Sequence, residues 1–203
     1  MNDRKRIVVG ISGASGVIYG VRVLEALRRA GVETHLVMTK SAEMTLAYET
    51  KLKAREVRKL ADVVYAVTDI GAPISSGSFR TLGMIVAPCS IRSLAEIAYG
   101  TTTTLLSRAA DVALKERRRV VLLVREAPLH VGHLRAMTHA AEAGAIIVPP
   151  VPAFYPLPAS VEDIVNHTVG RALDLFEIDT GKVARWGETG PRAPRPPRKL
   201  HVK

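Results

Sequence analysis

A single cysteine, Cys89, occurs in 203 residues. One thiol cannot close a disulfide within the chain or build a cysteine-rich zinc site, so the fold is expected to use neither. Aromatic residues make up 4% of the chain, and the net charge of +10 comes with no recognisable nucleic-acid motif. Base stacking on aromatic side chains is therefore not expected, and no nucleic-acid partner is assigned. No apolar run approaches the roughly 20 residues that span a bilayer. The opening MNDRKRIVVGIS enters a strand-like pattern instead of a secretory hydrophobic region. Together these absences point to a cytoplasmic protein built around one core.

Metal-binding spacing is also missing. His130, His133 and His139 lie close in sequence, but no carboxylate completes an HExxH pattern. They read as loop and helix-surface histidines. Cys89 follows a strand with no neighbouring histidine in sequence to activate it, so it reads as structural rather than nucleophilic.

The positive charge is uneven. Arg192, Arg195, Arg198, Lys199 and Lys203 crowd the last thirteen residues, PRAPRPPRKLHVK, without one acid. Residues 188–203 are read as a basic, Pro/Arg-rich, disordered tail, and residues 1–187 as one domain. The remaining, moderately basic body suits phosphorylated small molecules.

What the sequence does contain is alternation. Short apolar, β-branched runs at 6–12, 34–39, 63–67, 84–87, 120–124 and 145–149 read as strands buried on both faces. Between them lie helical faces. One is Val17, Val21, Leu24 and Leu27, stopped at Gly31. A second is Leu105, Ala109 and Val112, with the basic run 115–119 at its end. A third runs from Val161 to Phe176. Strands alternating with helices predict an α/β fold, a doubly wound and mostly parallel Rossmann-like sheet.

The loop after the first strand reads Gly10-Ile-Ser-Gly-Ala-Ser-Gly16 and opens a helix. Small residues let backbone approach a ligand, and a helix N-terminus offers free N–H groups to an anion. It is not a P-loop, because Val17 and Ile18 stand where Lys and Ser/Thr would be needed. It is not a dinucleotide fingerprint either, since Ile11 stands where the first Gly of GxGxxG should be and the second strand ends in Met-Thr-Lys-Ser without an acid. A mononucleotide phosphate fits better. Other polar segments are expected to share that rim: Ser75–Ser78, Ala87–Ser93, Val124–Leu129 and Pro149–Tyr155.

These segments carry a resemblance. GISGASG (10–16), SSGS (75–78), APCS (87–90), RAADVALKERR (108–118), VREAPLH (124–130), PPVPAFY (149–155) and VGRALDLF (169–176) occur in order, and the chain resembles the UbiX-like flavin prenyltransferases over 5–187. Older descriptions call such proteins aromatic-acid decarboxylases. The resemblance implies a metal-independent enzyme that joins the dimethylallyl group of dimethylallyl phosphate to N5 and C6 of reduced FMN. The product would serve UbiD-type decarboxylases, and the enzyme would be a homo-oligomer, often a dodecamer, with sites at subunit contacts.

Residue by residue, the resemblance places Gly13, Ala14, Ser15, Thr39, Ser90, Ile91, Arg92, Ser93 and Arg125 at FMN. It places Lys115, Arg125, Glu126, Tyr155, Arg171 and Trp186 at the prenyl donor. Ser15, Glu49, Lys115, Arg125 and Glu126 would carry the chemistry, Ser15 in a proton relay and Glu49 by reaching a neighbouring site. The chain departs from some members where Ile70 stands at an aromatic position. The alternative is an FMN-dependent decarboxylase of the related cysteine-decarboxylase group. Such an enzyme needs a catalytic histidine after the first helix, and His35 inside the second strand is poorly placed for that.

Overall fold

A computed structural model describes residues 4–187. The expected tail at 188–203 lies outside the described residues. Six strands form one parallel sheet in the order β3-β2-β1-β4-β5-β6. They are β1 (Arg6–Ile11), β2 (Glu33–Met38), β3 (Val63–Tyr65), β4 (Gly83–Cys89), β5 (Arg119–Val124) and β6 (Ala145–Ile147). Helices connect them: α1 (Val17–Arg29), α2 (Lys40–Glu49), α3 (Ala54–Arg58), α4 (Ile91–Ala98), α5 (Leu105–Lys115), α6 (Val131–Glu142) and α7 (Val161–Asp174). Among these residues no helix is long and apolar enough to cross a membrane.

The continuous apolar strands follow from burial on both faces. In β1, Ile7, Val9 and Ile11 turn toward α1 and α7, joining Val21, Leu24, Val165, Val169 and Leu173. Val8 turns the other way with Met84 and Val86, against α4, α5 and α6 through Leu94, Leu106 and Ala140. Alternate residues thus serve two cores, and a polar residue would be buried on either side. Gly20 sets the distance of α1 from the sheet. A Cβ there would lie 2.3 Å from the Ala87 carbonyl oxygen and 2.8 Å from Ile11 Cδ1.

All six expected strands form, with shifted ends. The edge strands β3 and β6 stop at Tyr65 and Ile147, short of the expected 67 and 149. Each has one neighbour only, and Pro149 and Pro150 lack N–H groups to extend a ladder. The basic run 115–119 is not all helix. α5 ends at Lys115, Arg117 takes a left-handed φ of 56°, and Arg119 already opens β5. α7 ends at Asp174, and Phe176 reaches the core from the turn beyond it.

The structure corrects one placement. The Ser75–Ser78 loop does not share the rim at the C-terminal strand ends. Arg118, just before β5, donates to the Gly77 and Phe79 carbonyls, both at 2.6 Å. Phe79 packs edge-on to His35 and under Arg6, near the strand starts. The connection from β3 must return to the beginning of β4 at Gly83, and the loop falls at the end of that return path.

Candidate functional site

The order of the sheet reverses beside β1, whose neighbours β2 and β4 carry the chain in opposite directions across the sheet. That switch point opens a crevice beyond the strand ends. Ser12 ties its two walls together. Its buried hydroxyl donates to the Pro88 carbonyl at 3.0 Å and accepts from the Ser90 amide at 2.7 Å. From the sequence Ser12 is one more hydroxyl donor of the glycine loop; the structure commits that hydroxyl to partners 76 and 78 residues away.

Three helices begin around this crevice. Gly16, at φ 91°, starts α1 without a side-chain cap of its own. The Glu49 carboxylate supplies the cap from the end of α2, accepting from the Gly16 amide at 2.8 Å and the Val17 amide at 3.1 Å. Glu49 thus reaches the glycine loop of its own chain. Its carboxylate sits where partial positive charge gathers at a helix N-terminus. Thr39 caps α2, its hydroxyl accepting from Ala42 N at 3.1 Å and touching Ser41 Oγ at 3.0 Å. Gly13 lies so close to that turn that a Cβ would meet Ser41 Cβ at 2.3 Å. Ser90 caps α4, accepting from Ser93 N and donating to Ser93 Oγ, both at 3.2 Å. Ile91, Arg92 and Ser93 form the first turn of that helix, with Ser93 buried and Arg92 turned outward onto Glu96.

Next to the glycine loop is a cavity of about 430 Å³ lined by Ser15, Gly16, Tyr19, Arg125, Glu126 and the Pro149–Val151 segment. The end of β5 brings Arg125 here, and its amide bonds to the Cys89 carbonyl at 3.1 Å. Glu126 folds its carboxylate back to accept from Ala127 N at 3.0 Å. Tyr19 was missed from sequence. Burial raises its hydroxyl pKa while the nearby Arg125 cation works in the opposite direction. The available signal was its place in the first turn of α1, directly after the glycine loop. Hydroxyls, helix N-termini, a glycine cradle and one guanidinium fit a planar ligand with a phosphate end.

The other candidate residues lie elsewhere. Tyr155, Trp186 and Arg171 gather along the outer side of α7. The Tyr155 hydroxyl donates to the Ala184 carbonyl at 2.9 Å and meets His167 Nε2 at 3.2 Å, while its ring stands edge-on to Trp186 at 5.3 Å. Arg171 pairs with Asp174 at 2.7 Å, and Asp174 also holds Arg185. Beside them is a second cavity of about 490 Å³, with His167, Lys182 and Ala184 in its lining. Lys115, bonded to Glu116, is at the far end of the sheet. Lys115 precedes the start of β5 and Arg125 follows its end, so a strand about 20 Å long separates them. The chain alone does not bring Lys115, Arg125 and Arg171 to one point. Ile70 is 63% exposed, in a turn of the connection from β3 to β4.

Several side chains are excluded from the chemistry. Cys89 is fully buried, and burial drives its thiol pKa far up, which leaves no thiolate to attack. His35, 3% exposed on β2, is bonded to Glu33 and Tyr65 near the strand start, so it cannot serve as the histidine of a cysteine-decarboxylase site. His130 caps α6 by accepting from Gly132 N and lies against His133, the rings tilted by 34° with centroids 3.6 Å apart. Among the described residues no three His, Cys, Asp or Glu side chains converge as metal ligands.

Known proteins share this arrangement. Residues 1–173 match the family model described as Flavoprotein. The flavin prenyltransferase UbiX of Escherichia coli K12 is 59% identical over 185 residues, covering 90% of this chain and 98% of that protein. The crystal structure of AnUbiX (PadA1) in complex with FMN and dimethylallyl pyrophosphate matches with a TM-score of 0.89 at 56% identity, over 90% of this chain and 97% of that one. A dodecameric FMN-dependent UbiX-like decarboxylase from Escherichia coli O157:H7 matches with a TM-score of 0.87 at 49% identity, over 89% of this chain and 98% of its own. With that likeness spanning both the glycine-loop crevice and the Tyr155 segment, the chain belongs to the Flavoprotein family and, within it, to the UbiX flavin prenyltransferases.

Proposed function

We propose that residues 1–187 form one FMN-binding domain that transfers a dimethylallyl group from dimethylallyl phosphate to N5 and C6 of reduced FMN. The observation that carries this reading is the meeting of three helix N-termini, the Gly13 cradle and Arg125 at one crevice, in a chain 59% identical to a flavin prenyltransferase. Ser90 to Ser93 and Thr39 hold the nucleotide phosphate by hydroxyls and helix amides, while Gly13, Ala14 and Ser15 let backbone lie against the flavin. When bound, reduced FMN supplies the nucleophilic nitrogen and carbon.

The residues of this chain must do the rest. An allylic phosphate departs only when its growing charge is met. Arg125 offers a rigid bidentate fork and Lys115 a compact cation. Tyr155, Arg171 and Trp186, which stand apart from Arg125 within one chain, complete the donor pocket at a subunit contact, Glu126 orients the guanidinium beside it, and Ser15 relays a proton. Lys115 lies a strand's length from Arg125 in one chain, which favours a homo-oligomer in which another copy brings it to the site. The dodecameric relative supports that assembly. The released prenylated FMN would pass to a UbiD-type decarboxylase.

The test is an anaerobic incubation of the purified protein with reduced FMN and either dimethylallyl phosphate or the diphosphate held by AnUbiX. Mass spectrometry of the released flavin should show a gain of one C5 unit with the monophosphate. Unmodified FMN with both donors, on folded protein that retains flavin, overturns the reading.

A further inference from the structure

We propose that His167 is a positioning residue, which holds the Tyr155 hydroxyl and, through it, docks the segment carrying Trp186. The argument begins with one proton. The Tyr155 hydroxyl has a single hydrogen, and it points to the Ala184 carbonyl at 2.9 Å. Toward His167 Nε2, 3.2 Å away, the phenol oxygen must therefore accept, and Nε2 must carry the proton. His167 is half-buried on α7, and its ring stands edge-on to the phenol with centroids 5.6 Å apart.

The segment after α7 is held against it at three places. Val183 packs onto Gly170 so closely that a Cβ there would lie 2.4 Å from Val183 Cγ2. Arg185 pairs with Asp174 at 3.1 Å. The bond from Tyr155 to Ala184 is the third, and it ties the segment to the loop before α7. Trp186 then lies against the Tyr155 ring. Because His167 donates, the phenol keeps its own proton for an acceptor: the Ala184 carbonyl here, or the oxygen of a bound phosphate. The imidazole holds the oxygen in place while that proton changes partner. This use of Tyr155 at the donor phosphate rests on the proposed function.

Trp186 is the one tryptophan of the chain, so its fluorescence reports on this segment without interference. His167→Leu removes the donor at similar volume, whereas His167→Gln keeps an N–H within reach. The Leu variant should expose Trp186 to acrylamide about twofold more. It should also raise KM for dimethylallyl phosphate about fivefold, the effect of one neutral hydrogen bond, with kcat and FMN affinity little changed. The Gln variant should restore both values. Tyr155→Phe should reproduce the quenching of the Leu variant, and circular dichroism identifies any variant that fails to fold. Quenching and KM in His167→Leu equal to wild type, or a Gln variant as impaired as Leu, overturns the proposal. A wild-type chain that binds FMN yet makes no adduct overturns the functional reading instead, and the quenching comparison still decides the positioning claim.

Discussion

Glu49 and Gly16 are joined across 33 residues: a carboxylate at the end of α2 accepts from the amide that opens α1, at 2.8 and 3.1 Å from its two oxygens. The glycine loop is thereby held by an anion of its own chain at one of the helix ends that face the crevice. A cap lost to alanine costs about 1 kcal/mol. Glu49→Ala should lower Tm by about 3 °C in a chain of this size, and Glu49→Gln, which retains an acceptor, by less. Thermal melts of the three proteins check this.

Arg125 is expected to be irreplaceable by lysine. Its side chain lines the cavity with Ser15 and Glu126, and a planar fork can meet two phosphate oxygens where an ammonium meets one. Arg125→Lys should reduce prenylated-flavin formation about 100-fold, the scale of one lost transition-state donor, with an unchanged melting curve. Single-turnover assays under anaerobic conditions measure it.

Cys89 should be chemically silent. Burial holds its thiol protonated well above the working range. Iodoacetamide should therefore leave the native protein unlabelled and fully active, and label it only after denaturation. Cys89→Ala should turn over within about twofold of wild type and lose about 1 kcal/mol of stability through its small cavity.

Asp62 should make part of the stability depend on pH. Burial works against its charge, but the Thr34 amide at 2.9 Å, the Thr34 hydroxyl at 3.0 Å and Arg4 outweigh it and hold the carboxyl below its ordinary value. A carboxyl depressed by folding contributes stability above its unfolded pKa and loses it as pH falls through the folded one. Asp62→Asn should therefore be less stable than wild type by about 1 kcal/mol near pH 7, and the gap should close below about pH 4. Urea unfolding at several pH values tests the sign.

Gly20 should tolerate no side chain. With the Ala87 oxygen 2.3 Å from the added carbon, Gly20→Ala must push α1 off the sheet. A loss of about 3 kcal/mol and a Tm lower by about 10 °C are expected, together with weaker flavin binding because the glycine loop moves with α1.

The sequence by itself determined the layers of this protein and where its ligand-facing loop would be. Runs such as Val8–Ile11 and Val120–Val124 are apolar at every position because alternate residues enter two cores, and only a doubly covered parallel strand requires that. Gly13 and Gly16 announced a strand-to-helix turn that backbone could press against. The ordered motifs pointed to the family. Tertiary structure decided everything that depends on which end of the sheet a residue reaches. Lys115 and Arg125 are ten residues apart in sequence yet stand at opposite ends of β5, and the Ser75–Ser78 loop fell with the strand starts. Spacing along a chain carries no information about direction across a sheet until the strand order is known. The same limit hid Ser12 between Pro88 and Ser90, Glu49 on Gly16, and His167 on Tyr155, because each bond joins elements that only the packed core brings within 3.2 Å.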